Sequence, residues 1–228
     1  MLYCFQRGGK LQLMEIKIMK NIMDANMKLA EENRRFFKSR GITAINIMAS
    51  PGAGKTSVIL KIIEHLKYHF GISVIEGDIA SSIDADKIDK LGIPVVQINT
   101  GGGCHLDANM IKTVVQDLKL ADNSILLIEN VGNLVCPSTF DLGEKIKMII
   151  ASVPEGHDKP FKYTSMFEQA DVIILNKVDL MPYIDFDKES FYKGIRALNE
   201  RVQVFEVSCR TNDGIIEMME WVKNKVLI

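Results

Sequence analysis

A short glycine-rich segment between two apolar stretches constrains the fold of this chain more than any other feature. Residues 49–56 read A-S-P-G-A-G-K-T, which follows the phosphate-binding pattern G-x-x-x-x-G-K-[ST] except that Ala49 replaces the first glycine. The preceding apolar run is predicted to be a strand (44–49), and the following residues repeat apolar side chains at helical spacing (55–69). A phosphate-binding loop requires this strand–loop–helix order, so it is favoured over a chance glycine-rich turn.

Short apolar runs alternate with amphipathic stretches along the rest of the chain. The predicted strands are 44–49, 72–76, 95–98, 124–129, 147–152, 171–175 and 202–207. The predicted helices are 15–39, 55–69, 82–91, 105–119, 188–200 and 213–226. This alternation predicts an α/β fold of the P-loop NTPase (G-domain) class, with a mostly parallel sheet flanked by helices. We expect an N-terminal tail and helix (1–40) packed on one P-loop domain (41–228).

Composition and charge exclude several other classes of protein. The chain has 228 residues, 47% of them hydrophobic, which is enough for one large domain with its own core. Its net charge of -1 gives no general attraction to nucleic acid or to an anionic membrane. The sequence contains no run of 18 apolar residues and no secretion signal, so we expect a cytoplasmic protein without disulfide bonds.

The phosphate-binding segment assigns a separate task to each kind of residue. Gly52 and Gly54 let backbone N–H groups turn towards the phosphates, and Lys55 places a positive charge between the β- and γ-phosphates. The Thr56 hydroxyl is expected to bind Mg²⁺. The candidate nucleotide-binding residues of this segment are Gly52, Ala53, Gly54, Lys55, Thr56 and Ser57.

A second motif, N-K-V-D at 176–179, favours GTP and GDP over adenine nucleotides. The Asp179 carboxylate can accept hydrogen bonds from N1–H and the 2-amino group of guanine, whereas adenine offers neither donor. We expect Asn176 to bind the other edge of the base and the stem of Lys177 to lie along its face. Ser208 and Cys209 follow the last predicted strand, where they either form a third loop that contacts the base or a plain surface turn.

Two carboxylates at strand ends are candidates for holding the nucleotide's Mg²⁺ together with Thr56. Asp78 follows one apolar run and Glu129 ends another, as an acid does in the strand that supports the metal in P-loop proteins. A helix cap or turn is the other interpretation of Asp78. Gly132 is positioned to offer its N–H to the γ-phosphate. The candidate catalytic residues are Lys55, Thr56, Asp78 and Glu129, and the absence of an evident water-orienting glutamine or arginine predicts slow hydrolysis by the monomer.

A cysteine–histidine pair and a second cysteine suggest a separate metal site. Cys104 and His105 are adjacent, and Cys136 follows a strand whose end we expect at the same sheet edge. Thiolate and imidazole ligands suit Ni²⁺ or Zn²⁺. Three ligands need a fourth from water, a backbone group or a second chain. Buried free cysteines beside a helix-capping histidine are the alternative interpretation.

Four longer segments together resemble the HypB family of nickel-incorporation GTPases. They are G-G-C-H-L-D-A at 102–108, E-N-V-G-N-L-V-C-P at 129–137, F-D-L-G-E at 140–144 and E-G-H-D-K-P at 155–160. The resemblance extends over about residues 15–227 and includes the N-K-V-D motif. The segment at 129–137 is specific to this family, because ordinary GTPases lack it.

The resemblance implies a GTP-dependent homodimer that binds nickel or zinc through Cys104, His105 and Cys136 near the dimer interface. It implies a hydrogenase maturation protein and the hydrogenase large subunit as partners. Many relatives carry an N-terminal C-x-x-C-G-C motif, whereas Cys4 stands alone here, so we expect nickel binding to depend on the G-domain site. A urease accessory GTPase is a rival interpretation, but its metal loop usually reads Cys-Pro-His. A regulatory GTP switch without metal cargo and an ATP-dependent kinase are the others.

Overall fold

The computed structural model describes residues 10–78 and 88–227. Side chains are described for residues 21–77 and 88–227. Cys4 and most of the helix predicted at 82–91 lie outside the described residues.

Seven parallel strands form one sheet in the order β3-β2-β4-β1-β5-β6-β7. The strands are β1 (Thr43–Ala49), β2 (Ile72–Asp78), β3 (Val95–Asn99), β4 (Ile125–Glu129), β5 (Ile146–Ser152), β6 (Val172–Asn176) and β7 (Gln203–Glu206). Each predicted strand is confirmed with its ends displaced by at most two residues. The apolar runs were informative because a parallel sheet covered on both faces buries nearly every strand residue.

Helices cover both faces of this sheet. They are α1 (Lys10–Ser39), α2 (Lys55–Leu66), α3 (Ala108–Asp117), α4 (Lys159–Lys162), α5 (Thr164–Glu168), α6 (Lys188–Leu198) and α7 (Ile215–Leu227). Three short 3₁₀ helices cover Cys136–Ser138, Val153–Glu155 and Val178–Tyr183. Among the described residues, no helix combines the length and the hydropathy that crossing a bilayer requires.

Two features of the helices differ from the sequence-based expectation. The helix predicted at 105–119 begins only at Ala108, because the Asp107 carboxylate caps it by accepting a hydrogen bond from Met110 N at 2.8 Å. This leaves Cys104 and His105 in the preceding loop, where their side chains can face a ligand. The short helices α4 and α5 were not predicted, since one turn of helix shows too few residues to reveal a period.

Apolar side chains of α2 and α7 pack against one face of the sheet. The buried residues of α2 are Val58, Ile59, Ile62, Ile63 and Leu66. These residues hold α2 against the sheet along most of its length, so the first turn of α2 is fixed beside the end of β1. The phosphate-binding loop between them therefore has two fixed ends.

Polar side chains of α1 connect this helix to the opposite face of the sheet. Asn26 accepts a hydrogen bond from Ala108 N at 2.9 Å and donates to Asp141 O at 2.8 Å. Buried Asn33 donates to both Ala108 O and Leu142 O. Helix α1 therefore joins the start of α3, which follows the Cys104–His105 loop, to the chain segment before β5.

Candidate functional site

The phosphate-binding loop adopts the conformation that its glycines permit. Gly52 has φ 79° and Gly54 has φ 101°, both in the region that favours glycine. A Cβ atom on Gly54 would collide with Nδ2 of Asn176, whereas one on Gly52 would meet no atom within 4 Å. Gly54 is therefore required both by its backbone angle and by the close approach of a second motif.

That second motif braces the phosphate-binding loop directly. Asn176 Nδ2 donates to Ala53 O at 3.0 Å, and Lys177 Nζ donates to Gly52 O at 2.6 Å. The Asn176 Oδ1 atom accepts from Lys177 N at 2.8 Å, at a residue with φ 61°. The structure thus places Asn176 between two loops and directs the Lys177 ammonium to the phosphate-binding loop. The contacts of both residues with the base stay predictions.

A cavity of about 520 Å³ opens beside these loops, with Asp179 and the predicted third loop in its wall. Ser208 is fully buried, and its Oγ donates to Asp179 Oδ1 at 2.7 Å. Ser208 Oγ also accepts from Thr211 N at 3.1 Å, so the turn 208–211 is built around the Ser208 hydroxyl. Burial raises the pKa of Cys209 in this wall to about 11, which keeps the thiol neutral. A planar base that donates hydrogen bonds to Asp179 suits this cavity.

Two of the three candidate magnesium ligands lie side by side at the first turn of α2. Thr56 Oγ1 lies 3.3 Å and 3.4 Å from the two carboxylate oxygens of Glu129, which ends β4. Asp78 ends the neighbouring strand β2, and its side chain lies outside the described residues. Sequence reasoning did not single out Glu76, a buried acid that stands opposite Glu129 in the strand register. An acidic residue within the predicted strand 72–76 was the signal that could have revealed it.

Gly132 lies directly against the phosphate-binding loop. A Cβ atom at this position would be 3.1 Å from Pro51 Cγ and 3.4 Å from Lys55 Nζ. The backbone of the segment after β4 therefore runs beside the Lys55 ammonium, where the end of a triphosphate is expected. A larger side chain at this position would press on Pro51.

The structure brings the three predicted metal ligands together. One ligand atom from each of Cys104, His105 and Cys136 lies within 4.8 Å of the other two. Cys104 Sγ is 3.5 Å from His105 Nδ1, and the His105 ring stacks on Phe140 with centroids 3.8 Å apart. Soft sulfur ligands and an imidazole at these separations match the donor set for Ni²⁺ or Zn²⁺.

The protonation of these groups is set by their proximity and burial. The hydrogen bond with Cys136 raises the pKa of Cys104, because the two thiols stabilise a shared proton. Burial lowers the pKa of His105 against the opposing effect of Asp107, which favours the neutral imidazole that binds metals. The imidazole is thus favoured in its metal-binding form, whereas a cation must displace the proton that the two thiols share.

The segment after β4 connects the metal cluster to the phosphate-binding loop. It runs from Glu129 past Gly132 to Cys136, which starts a short 3₁₀ helix. Asn133 Nδ2 donates to Cys104 O at 3.3 Å, and its Oδ1 accepts from Val135 N at 2.8 Å. Asn133 thus holds the two metal-binding loops together, a role that sequence reasoning missed.

Comparison with known proteins agrees with this geometry. Residues 43–206 match the model of the CobW/HypB/UreG nucleotide-binding domain family. The hydrogenase maturation factor HypB of Rhizobium leguminosarum bv. viciae is 47% identical over 215 residues, covering 94% of this chain and 72% of the relative.

Two solved HypB structures have the same fold. The one from Archaeoglobus fulgidus superimposes with a TM-score of 0.82 at 36% identity, covering 89% of this chain and 99% of the other. The one from Helicobacter pylori, solved in complex with nickel, gives a TM-score of 0.82 at 34% identity over 89% of this chain and 95% of the other. The chain therefore belongs to the HypB family of hydrogenase maturation factors, within the wider CobW/HypB/UreG group of nucleotide-binding proteins.

Proposed function

We propose that this chain is a GTP-binding and GTP-hydrolysing nickel chaperone that serves the maturation of nickel–iron hydrogenase. The observation that carries the proposal is the position of the Cys104–His105–Cys136 cluster. It lies at the end of the segment 129–136 whose other end, with Glu129 and Gly132, contacts the phosphate-binding loop. One continuous segment therefore senses the nucleotide and supplies a metal ligand.

The preference for GTP depends on Asp179 and Ser208. Ser208 Oγ fixes the carboxylate at the cavity wall, where guanine can donate two hydrogen bonds to it. Adenine would leave the carboxylate desolvated and unpaired, which costs about 1–3 kcal/mol or more. The chain should accordingly bind GTP and GDP in preference to ATP.

Hydrolysis needs Mg²⁺, and the oxygen donors at the first turn of α2 fit that cation. The Thr56 hydroxyl and the Glu129 carboxylate lie within 3.4 Å of each other, with Asp78 at the end of the next strand. When bound, Mg²⁺ neutralises charge on the β- and γ-phosphates. Lys55 adds its positive charge at the same phosphates, and the Gly132 N–H is available to the γ-phosphate.

The nucleotide-binding motifs at 49–56 and 176–179 and the segment 129–137 contain neither glutamine nor arginine. Faster GTPases use a glutamine to orient water or an arginine to stabilise charge. Slow hydrolysis by the isolated monomer is therefore part of the proposal.

The cargo is a nickel ion, with zinc as the competitor that the same ligands can hold. Each chain supplies three ligands, so a second chain, a water molecule or a backbone group completes the coordination. A GTP-dependent homodimer would place two such clusters within reach of each other. The receiving partners are then a hydrogenase maturation protein and the hydrogenase large subunit.

Equilibrium dialysis with Ni²⁺ and with Zn²⁺ tests the cargo assignment. The Cys104→Ala/Cys136→Ala variant should lose the bound metal ion of the wild type. The matched control Cys209→Ala removes a thiol from the base cavity and should retain the wild-type metal stoichiometry. Unchanged stoichiometry in the double variant would contradict the metal assignment and favour a GTP switch whose cysteines only pack.

A further inference from the structure

A line of buried polar side chains crosses the core behind the nucleotide and metal loops. Asn130 Nδ2 donates to Asn46 Oδ1 at 3.1 Å, and Asn46 Nδ2 donates to Glu144 Oε1 at 3.1 Å. The other Glu144 oxygen accepts from Leu142 N at 2.8 Å. Both asparagines are completely buried and Glu144 is 6% exposed, so each group depends on its neighbours for hydrogen bonds.

The first member of this line joins two loops through a single atom. Asn130 Oδ1 accepts from Leu106 N at 3.1 Å and from Val131 N at 2.9 Å. Leu106 directly follows the ligands Cys104 and His105. Val131 directly precedes Gly132, which lies against Lys55. One carboxamide oxygen therefore holds the backbone of the metal loop and the backbone of the nucleotide-contacting segment.

We propose that Asn130 is a positioning residue that couples the nucleotide state of the Val131–Gly132 segment to the geometry of the Cys104–His105 metal loop. The proposal rests on the function proposed above and adds the residue through which the two sites communicate. Asn130 is completely buried, and its oxygen reaches the two loops through their backbone amides.

The fixed orientation of Asn130 makes this transfer possible. Two N–H donors point at its oxygen, so the amide nitrogen must face Asn46. A flip of the amide would oppose donors to donors at the loop end and two acceptor oxygens at the Asn46 end. Its own backbone N donates to Ile47 O at 3.0 Å, which attaches the residue to β1. A displacement of Val131 therefore cannot be absorbed by free rotation of the side chain.

Leu106 is confined on its other side. Its side chain is fully buried, and a Cβ atom on Gly77 of β2 would be 2.8 Å from it. Loss of the bond from Leu106 N would leave a buried donor without its partner, which is unfavourable. If Asn130 moves, the bond to Leu106 N is kept most easily when the residues before Leu106 adjust. These residues are the metal ligands Cys104 and His105.

The test is a thermodynamic cycle measured on the full chain. Ni²⁺ affinity is measured with GDP and with a non-hydrolysable GTP analogue, and the ratio of the two affinities is the coupling factor. We expect a ratio of about 5–150 for the wild type, the usual range for linked sites. Asn130→Ala should reduce the ratio to less than about 3.

Two further variants separate coupling from folding stability. Asn33→Ala removes another buried asparagine, whose amide donates two hydrogen bonds, to Ala108 O and to Leu142 O. This control should keep the wild-type ratio. Asn130→Asp retains an acceptor oxygen for both amides but loses the donor to Asn46 Oδ1, so its ratio should lie between those of Asn130→Ala and the wild type. Should Asn130→Ala not yield folded protein, Asn46→Ala leaves the Asn130 oxygen in place, removes its support and should also lower the ratio.

A second readout needs no metal. Hydrogen exchange at the Leu106 amide should differ between the GDP and GTP-analogue forms of the wild type, and this difference should disappear in Asn130→Ala. If the wild type and Asn130→Ala show the same coupling factor, well above 1, the inference is overturned and the proposed function stands. A wild type without metal binding would overturn the proposed function, while the Leu106 amide would still decide the inference.

Discussion

The two halves of the carboxyl edge of the sheet are built to different degrees of completeness. In the nucleotide half, the loops after β1, β6 and β7 are joined by Asn176 to Ala53, Lys177 to Gly52 and Ser208 to Asp179. In the metal half, the loops after β3 and β4 are joined by Asn130 and Asn133. The first half encloses a cavity, whereas the second offers three metal ligands.

One chain therefore supplies a complete cavity for the nucleotide but only three ligands for the metal ion. A nucleotide can bind preorganised loops with little loss of conformational entropy. In the proposed function, a metal ion held by three side chains keeps an open coordination position, which would suit transfer to a partner. Changes in the nucleotide half should therefore have large effects on binding, and changes around the metal ligands smaller ones.

The largest effect is expected for Gly54→Ala. The added methyl group collides with Asn176 and forces alanine into a backbone region that strains it by about 1–3 kcal/mol. With loss of the Asn176 bond, the cost of about 3 kcal/mol should weaken GDP affinity about 100-fold, as measured by calorimetry. Gly52→Ala is the matched control, because it carries only the backbone strain, and it should lose clearly less affinity. Equal losses would show that the contact between the two loops is unimportant.

The next effect concerns the choice of base. Asp179→Asn places an amide where a carboxylate faces the guanine N–H groups, which should weaken GDP binding by about 2 kcal/mol, or about 30-fold. Competition between GDP and ADP should show a reduced preference for guanine. Asp185→Asn changes an exposed carboxylate in the following segment and should leave the preference unaltered. An unchanged preference in Asp179→Asn would contradict the assignment of the base cavity.

A smaller effect is expected at the ring behind the metal ligands. Phe140→Leu removes the stacked partner that orients the His105 imidazole. Residues that orient metal ligands typically contribute 10–100-fold, and a ring contact should lie near the lower end, at about 10-fold in Ni²⁺ affinity. Phe161→Leu, at an exposed ring on α4, serves as the control in the same titration. Unchanged affinity in Phe140→Leu would mean that His105 needs no such support.

The smallest effect is expected where α1 is attached to the chain segment before β5. Burial opposes ionisation of Asp141, but hydrogen bonds from Gly143 N and Arg34 outweigh it and hold its pKa below the usual value. Because the folded pKa is lowered, the ionised carboxylate stabilises the fold above the unfolded pKa of about 3.9 and this contribution fades as pH falls through the folded pKa.

Asp141→Asn should therefore lower the free energy of unfolding at pH 7 by less than about 1 kcal/mol. The difference from the wild type should diminish under acidic conditions, as measured by urea denaturation at several pH values. A difference that stays constant as pH falls would exclude ionisation of Asp141 as its source.

The sequence predicted the strands and their common edge well, because apolar runs such as 125–128 can only be buried in a covered sheet. It also predicted that Cys104 and Cys136 would follow strands at that edge. It did not predict the strand order, which depends on how seven similar apolar strands pair. The separation of the ligand atoms likewise depends on the cap at Asp107 and on the bond from Asn133, both of which are tertiary features.

The hydrogen-bonded line of Asn46, Asn130 and Glu144 could not be predicted from the sequence for a related reason. An asparagine within the apolar strand β1 signals a buried polar contact, but its partner lies 84 residues away. For the same reason, only the fold shows that the Asn176 amide faces Ala53, while its contact with the base stays a prediction. Motifs reveal which residues matter, whereas packing decides what they touch.

Size-exclusion chromatography with light scattering tests the central claim most directly, namely that an incomplete metal half is completed under control of the nucleotide half. The protein would be run with GDP and with a non-hydrolysable GTP analogue, each with and without Ni²⁺. The account predicts the 25.6 kDa monomer with GDP and twice that mass with the analogue, with nickel shifting the equilibrium between them. The same mass under all four conditions would contradict it.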